Sequence, residues 1–379
     1  MKLFDVYSLL DMEPVKAEGA YLWDKNGVEY LDFYGGHAVI SIGHSHPHYV
    51  KRITEQLSNI GFYSNAVINS LQAELAEKIG VLAEGYEDYS LFLCNSGAEA
   101  NENALKLASF TTGRERVLAI KGAFHGRTSM AVAVTDNPAI QAPVNQTDKV
   151  SFIALNDCEA LKSELQKGEY AAVIIEPIQG VGGIQVASEE FLLTAREVCD
   201  ATGTLLIMDE VQSGYGRSGR FFAHQWSGVK ADIVSMAKGI ANGFPVGAIV
   251  ISPEIPAKKG MLGTTFGGSH LACAAAIAVA EVVRSEGLIE NARKMGEKII
   301  EGIQGVSGVE DVRGRGLMIG IDLSVPQADF RKLLREKHHI MTGLSGKYTL
   351  RLLPPLMIGE KEVARFVEAF KATAQELGM

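Results

Sequence analysis

Three short stretches place reactive side chains where an apolar run gives way to a loop. Asp209-Glu210 follows the run 204–208, Lys238 follows 232–236, and Ser96-Gly97-Ala98-Glu99 follows 89–94. In an open sheet flanked by helices, ligands bind beyond the carboxyl ends of the strands. Ser96 and Glu99, three residues apart, form a capping box. The helix it opens would aim free N–H groups and the positive end of its dipole outward, toward a phosphate. Asp209 comes directly after apolar residues, and Lys238 sits within Met236-Ala237-Lys238-Gly239-Ile240, so neither setting suits a fully hydrated charge. A desolvated lysine has a lowered pKa and becomes a nucleophile toward carbonyl carbon. Taken singly, a capping box is ordinary, and an acid and a lysine at neighbouring strand ends could be a surface ion pair worth about 0–1 kcal/mol. Together, a phosphate cradle, an acid and a lysine meet the needs of pyridoxal phosphate. The lysine bonds the aldehyde, and the carboxylate keeps the ring nitrogen protonated so that the ring accepts electrons.

Such residues need a rigid frame, and the chain is long enough to provide one: 379 residues predict two or three compact units. Seven apolar runs, 89–94, 116–121, 150–155, 171–175, 204–208, 232–236 and 246–251, read as strands. Helical segments at about 99–112, 157–167 and 188–202 fall between several of them. The pattern is α/β, a seven-stranded, mostly parallel sheet whose continuous Val/Ile/Leu content implies helices on both faces. A long Ala-rich helix at about 269–286 leads into a different region. There, strands at 309–323 and 348–353 with helices near 288–304, 327–337 and 360–377 predict a smaller α+β domain. The expected division is an N-terminal segment, 1–40, packed on that small domain, a large cofactor-binding domain, 41–268, and the connecting helix with the small domain, 269–379. The turn signal Lys25-Asn26-Gly27 predicts a hairpin in the first segment.

At this point the residues resemble a known family, the class III aminotransferases of fold type I, and within it the acetylornithine group. The likeness runs along nearly the whole chain. Ser96-Gly97-Ala98-Glu99-Ala100-Asn101-Glu102 is similar to the family's phosphate-binding turn, with Gly97 and Ala98 offering backbone N–H groups. Phe124-His125-Gly126-Arg127-Thr128 resembles the segment whose aromatic ring, here Phe124, stacks on the pyridine and whose arginine, here Arg127, grips the α-carboxylate of an acylated ornithine. In Asp209-Glu210-Val211-Gln212 the resemblance implies Asp209 on the pyridinium and Gln212 near the ring hydroxyl, with Glu210 and Val211 completing the cofactor contact. Lys238 takes the place of the lysine that binds the cofactor. Thr264-Thr265-Phe266-Gly267-Gly268 resembles a stretch that crosses a dimer interface, Thr265 reaching the partner's phosphate and Thr264 lying near substrate. Arg351, opening Arg351-Leu352-Leu353-Pro354-Pro355, is similar to the arginine that holds glutamate or 2-oxoglutarate, and Glu176 lines the site. The resemblance thus implies a homodimeric transaminase with shared active sites. It would move the δ-amino group of N-acetylornithine to 2-oxoglutarate, in arginine biosynthesis. The alternatives are N-succinylornithine, free ornithine or another ω-amine as donor, and, more remotely, a pyridoxal-phosphate-binding protein without turnover.

Three departures from the family pattern bear on the substrate. Val181 stands where relatives commonly carry a glutamate that masks the arginine corresponding to Arg351. Leu262 and Ser269-His270 replace a frequent His and Asn-Pro around the threonines. Gly35-Gly36-His37-Ala38-Val39-Ile40-Ser41 differs in the stretch that helps form the acyl pocket.

Other readings fall away. A net charge of −9 without a basic run disfavours nucleic-acid and anionic-membrane partners. The longest apolar run, Leu271 to Ala280, is ten residues, half of what a bilayer requires. Asp5 interrupts the start where a signal peptide would be apolar, and the four widely spaced cysteines suit a reducing cytoplasm, the expected location. Gly214-Tyr215-Gly216-Arg217-Ser218-Gly219 is a literal GxGxxG, but no helical period follows it. His44, His46 and His48 lack a completing acid or cysteine, and no metal site is expected.

Overall fold

The computed structural model describes residues 1–379. All seven expected strands form one sheet, in the order Ser90–Cys94, Gly247–Ile251, Ile233–Met236, Leu205–Asp209, Tyr170–Ile175, Arg116–Ile120, Val150–Ile153. Every pairing is parallel except the two made by Gly247–Ile251, which runs antiparallel to both neighbours. The reason is connection length. Only residues 237–246 join it to the preceding strand, fewer than the dozen or so that a parallel crossover requires. Those same residues carry Lys238.

Alternation along each strand divides the core between the two faces. Ile207 packs with Val117, Ile174, Ile233 and Ile249 beneath helix Gly97–Thr112, which contributes Ala104, Leu105 and Ala108. Leu206 and Met208 point the other way, into the larger core with Val173, Ile175 and Val234 and with Phe191 and Val198 of helix Glu189–Thr202. Strand Tyr170–Ile175 is buried at all six positions, as near-continuous apolar content demands. Helix His270–Ser285, expected at 269–286, buries eleven of its residues. No helix is long and apolar enough to cross a membrane.

A second seven-stranded sheet joins the two ends of the chain, in the order Pro14–Glu18, Tyr21–Asp24, Glu29–Phe33, Ile340–Ser345, Thr349–Leu352, Met318–Leu323, Val309–Arg315. Glu29–Phe33 pairs parallel with Ile340–Ser345, which stitches the N-terminal hairpin to the C-terminal strands. Three details go beyond the sequence reading. Residues 309–323 are a hairpin whose two strands meet at the turn that Arg313-Gly314-Arg315-Gly316 signals, later than that segment's start, at Gly316, whose φ of +55° and closeness to the Arg217 carbonyl exclude a side chain. Strand Ile340–Ser345 lies in a stretch diluted by Thr342, Gly343 and Ser345, which hides its period. Helices Pro47–Asn59 and Ser70–Leu82 were not expected, and the first of them buries no residue completely.

Candidate active site

The carboxyl ends of the large sheet open into a cavity of about 410 Å³. Its wall brings together Ser96, Gly97, Ala98, Phe124, Arg127, Glu176, Asp209, Val211, Gln212 and Lys238, residues scattered over more than a hundred positions of sequence. Lys238 begins a short 3₁₀ turn, Lys238–Ala241, with a left-handed backbone at φ +49°. Such a conformation costs an ordinary residue on the order of 1 kcal/mol and must be held by its surroundings. The holding groups are visible. Ser41 Oγ donates to the Gly239 carbonyl at 2.8 Å, and Asn242 Oδ1 accepts from the backbone of Ser41 and Ile42 at 2.8 and 3.1 Å. Burial pulls the Lys238 ammonium below its ordinary pKa, with the carboxyls of Asp209 and Glu176 opposing.

Strand Leu205–Asp209 delivers Asp209, which is 3% exposed. Its Oδ2 accepts from His125 Nδ1 and from Asn101 Nδ2, both at 2.7 Å, and its Oδ1 accepts from the Val211 N–H at 2.9 Å. Accepting from the imidazole assigns the His125 proton to Nδ1. Glu176, behind it, receives the Phe124 N–H at 3.0 Å and the Gly180 N–H at 3.2 Å, yet burial, with Asp209 adding to it, lifts its carboxyl to about 7.

At the third corner half of the expected capping box forms: Ser96 caps the helix, but the Glu99 carboxylate reaches past it to the residue before. The Glu99 N–H donates to Ser96 Oγ at 3.1 Å, and Glu99 Oε2 accepts from the Asn95 N–H at 2.8 Å. N–H groups of a first helical turn have no acceptor within the helix, so those of Gly97 and Ala98 are available to an anion in the cavity. Gly97 admits nothing larger, since a Cβ there would lie 2.6 Å from Val211 Cγ1. The donor and acceptor set fits pyridoxal phosphate on a further count. Gln212 lines the cavity with its Oε1 buried and without a partner, while its Nε2 donates to the His37 carbonyl at 3.2 Å.

The remaining expected residues lie outside this wall. The Glu210 side chain turns into the core, where it accepts from His224 Nδ1 at 2.8 Å and Ser213 Oγ at 2.6 Å. Arg351 is buried, donates through Nη1 to the Gly180 carbonyl at 2.7 Å and leaves Nε unpaired. Thr264 Oγ1 accepts from Asn95 Nδ2 at 3.3 Å in a neighbouring depression, and Thr265 is exposed beside Phe266. Sequence reasoning named the segments holding His125 and Asn101 but gave these two side chains no role. A signal existed for one of them: Asn101 occupies the otherwise apolar row of Ala104, Leu105 and Ala108 on its helix.

A roomier cleft of about 890 Å³ lies under helix Pro47–Asn59, but most of its charges pair with one another. His48 pairs with Glu281 at 2.7 Å, His46 with Glu286 at 3.0 Å, and Lys78 with Glu281 at 3.1 Å. His44 turns instead to Asp32 at 2.8 Å.

A lysine, an acid and a helix N-terminus meeting at the carboxyl edge of this sheet define a pyridoxal-phosphate enzyme of fold type I. The family description Aminotransferase class-III matches residues 6–374. The chain belongs to the class III aminotransferases, and pyridoxal phosphate is its cofactor. An acetylornithine aminotransferase of Methanosarcina mazei is 40% identical over 360 residues, 94% of this chain and 90% of that one. The solved acetylornithine aminotransferase of Elizabethkingia anophelis superposes with a TM-score of 0.87 at 32% identity, covering 98% of this chain and 96% of the other. An ornithine aminotransferase of Toxoplasma gondii, in which pyridoxal phosphate partly occupies the active site, superposes with a TM-score of 0.91 at 28% identity, over 99% and 94% of the two chains.

Proposed function

We propose that this aminotransferase moves the δ-amino group of N-acetylornithine to 2-oxoglutarate, giving N-acetylglutamate semialdehyde and glutamate, as a homodimer in the cytoplasm. The observation that carries the reading is the convergence of Lys238, Asp209 and the phosphate turn in one cavity with Arg127 exposed at its mouth. The relatives of that name along more than nine tenths of the chain support the donor. Pyridoxal phosphate, when bound, supplies an aldehyde for the incoming amine and a protonated ring that takes up the electron pair of the broken C–H bond. Ser96, Gly97 and Ala98 would hold its phosphate, Phe124 and Val211 would flank its ring, Gln212 would serve the ring hydroxyl, and Asp209 would meet the ring nitrogen. Lys238, with its lowered proton affinity, would take a proton from the donor's amino-bearing carbon and deliver it across the nitrogen to the cofactor's aldehyde carbon, a general-base role. Arg127 presents a planar fork to the donor's α-carboxylate, and Arg351 does the same for the 2-oxoglutarate carboxylate. Glu176 shapes the wall. Thr264 lies near substrate, and the exposed Thr265 reaches the phosphate in the opposite protomer.

A second reading keeps the chemistry and changes the donor to free ornithine or another ω-amine. It is favoured by Val181 at the cavity and by Arg351, whose hydrogen bond goes to a carbonyl and not to a carboxylate. Initial rates with N-acetylornithine, N-succinylornithine and free ornithine, each against 2-oxoglutarate, separate the two. N-acetylornithine should give the highest kcat/KM with parallel double-reciprocal lines. Intersecting lines, or free ornithine as the better donor, would reject the first reading.

A further inference from the structure

We infer that Asn101 and Ser235 are positioning residues that aim the Asp209 carboxylate at the ring nitrogen of pyridoxal phosphate. The inference rests on the assignment of Asp209 to that nitrogen. Asn101 follows Gly97 by one helical turn, so the phosphate turn and this amide project from the same face of helix Gly97–Thr112. One helix thereby serves both ends of the cofactor.

A buried amide costs free energy unless each polar atom is met, and Asn101 is 1% exposed. All its partners are present. Nδ2 donates to the His125 carbonyl at 2.8 Å and to Asp209 Oδ2 at 2.7 Å, and Oδ1 accepts from Ser235 Oγ at 2.6 Å. Turning the amide over would set its oxygen against a carbonyl and a carboxylate, so only one orientation survives. Ser235, fully buried, pairs in register with Asp209 on the adjacent parallel strand, which puts its hydroxyl at the same depth.

The consequence falls on the carboxylate. Two N–H donors fill Oδ2, whereas Oδ1 takes only the Val211 N–H. Of about four lone-pair positions on a carboxylate, the vacant one is on Oδ1, and the ring N–H goes there. Asn101 also grips the carbonyl of His125, the other donor to Oδ2, so its loss loosens both restraints.

The test compares the apo forms of full-length wild type, Asn101→Ala and Ser235→Ala, titrated with pyridoxal phosphate and with its 1-deaza analogue, in which C–H replaces the ring nitrogen. Asn101→Ala should weaken pyridoxal phosphate about tenfold to a hundredfold, the range of a hydrogen bond to a charged group. It should weaken the analogue less than about threefold, because the analogue has nothing to offer Asp209. Ser235→Ala should show the same selectivity at a smaller amplitude, and it decides the matter if Asn101→Ala fails to fold. Equal losses for both ligands would make the pair merely structural and overturn the inference. A wild type that binds both ligands equally would instead reject the assignment of Asp209 itself.

Discussion

Lys238 and Glu176 lose hydration at the same cavity, and the loss moves them in opposite directions, the amine down and the carboxyl up. For Glu176 the sign follows from linkage. A folded-state pKa near 7 against an ordinary 4.5 means that the fold prefers the protonated form. The associated stability is complete below about pH 4.5 and is lost as pH rises through about 7. Urea unfolding of the apo-protein across that window should therefore show a downward slope that Glu176→Gln flattens. The variant also carries a pH-independent cost, from one backbone N–H left facing an amide nitrogen. An unchanged slope would mean that Glu176 is ionised throughout. Lys238→Ala should lower kcat by at least about 10⁴, the upper end of what proton transfer alone supplies, with the circular dichroism of the apo-protein unchanged. Val181→Glu would place a carboxylate where Arg351 now finds only the Gly180 carbonyl. Wild type is expected to tolerate several ω-amine donors, and the variant to narrow that ranking by about tenfold through competition for the arginine. Donor ratios that do not move would show that Arg351 is governed by something else.

At the scale of elements, the site exists because helix Gly97–Thr112 starts where strand Ser90–Cys94 ends and because no side chain stands between that start and Val211. Gly97→Ala would force a Cβ to 2.6 Å from a branched, rotamerically stiff neighbour. Thermal unfolding of the apo-form should report a loss of about 1–3 kcal/mol, and the titration midpoint for pyridoxal phosphate should rise with it. A variant as stable and as tightly binding as wild type would contradict the packing argument. The strand that ends in Asp209 and the one that leads to Lys238 were legible beforehand, since a strand buried on both faces must be apolar throughout and the polar residue after it stands out. The turn within Val309–Leu323 was legible too, from Gly314 and Gly316, but the approach of Gly316 to Arg217 that closes it is a contact invisible in local pattern.

For the whole molecule, the loop bearing Thr265 ends in an apolar surface. Phe266 is 63% exposed and meets Phe62 at 5.4 Å between ring centroids, with Tyr63 and Ile68 also exposed nearby in sequence. Asn65 Nδ2 fastens this segment to the carbonyls of Thr264 and Gly267 at 3.2 and 3.1 Å. Exposed aromatic groupings of this kind mark association sites. Phe266→Asp should shift the sedimentation of the proposed dimer toward monomers, with activity falling in proportion to the dimer. A monomeric variant of full activity would show that each protomer's site is complete in itself.

The amino-acid order by itself determined the strand ends, the Ser96 helix cap and the lysine, because each depends on neighbours within a few positions: apolar runs, a three-residue spacing, a charge among hydrophobic residues. Tertiary structure alone decided which of those residues meet. Glu210 adjoins Asp209 yet turns to His224, whereas Asn101, 108 positions away, bonds to Asp209 directly. Side chains alternate between the faces of a strand, and what each face meets is set by elements distant in the chain.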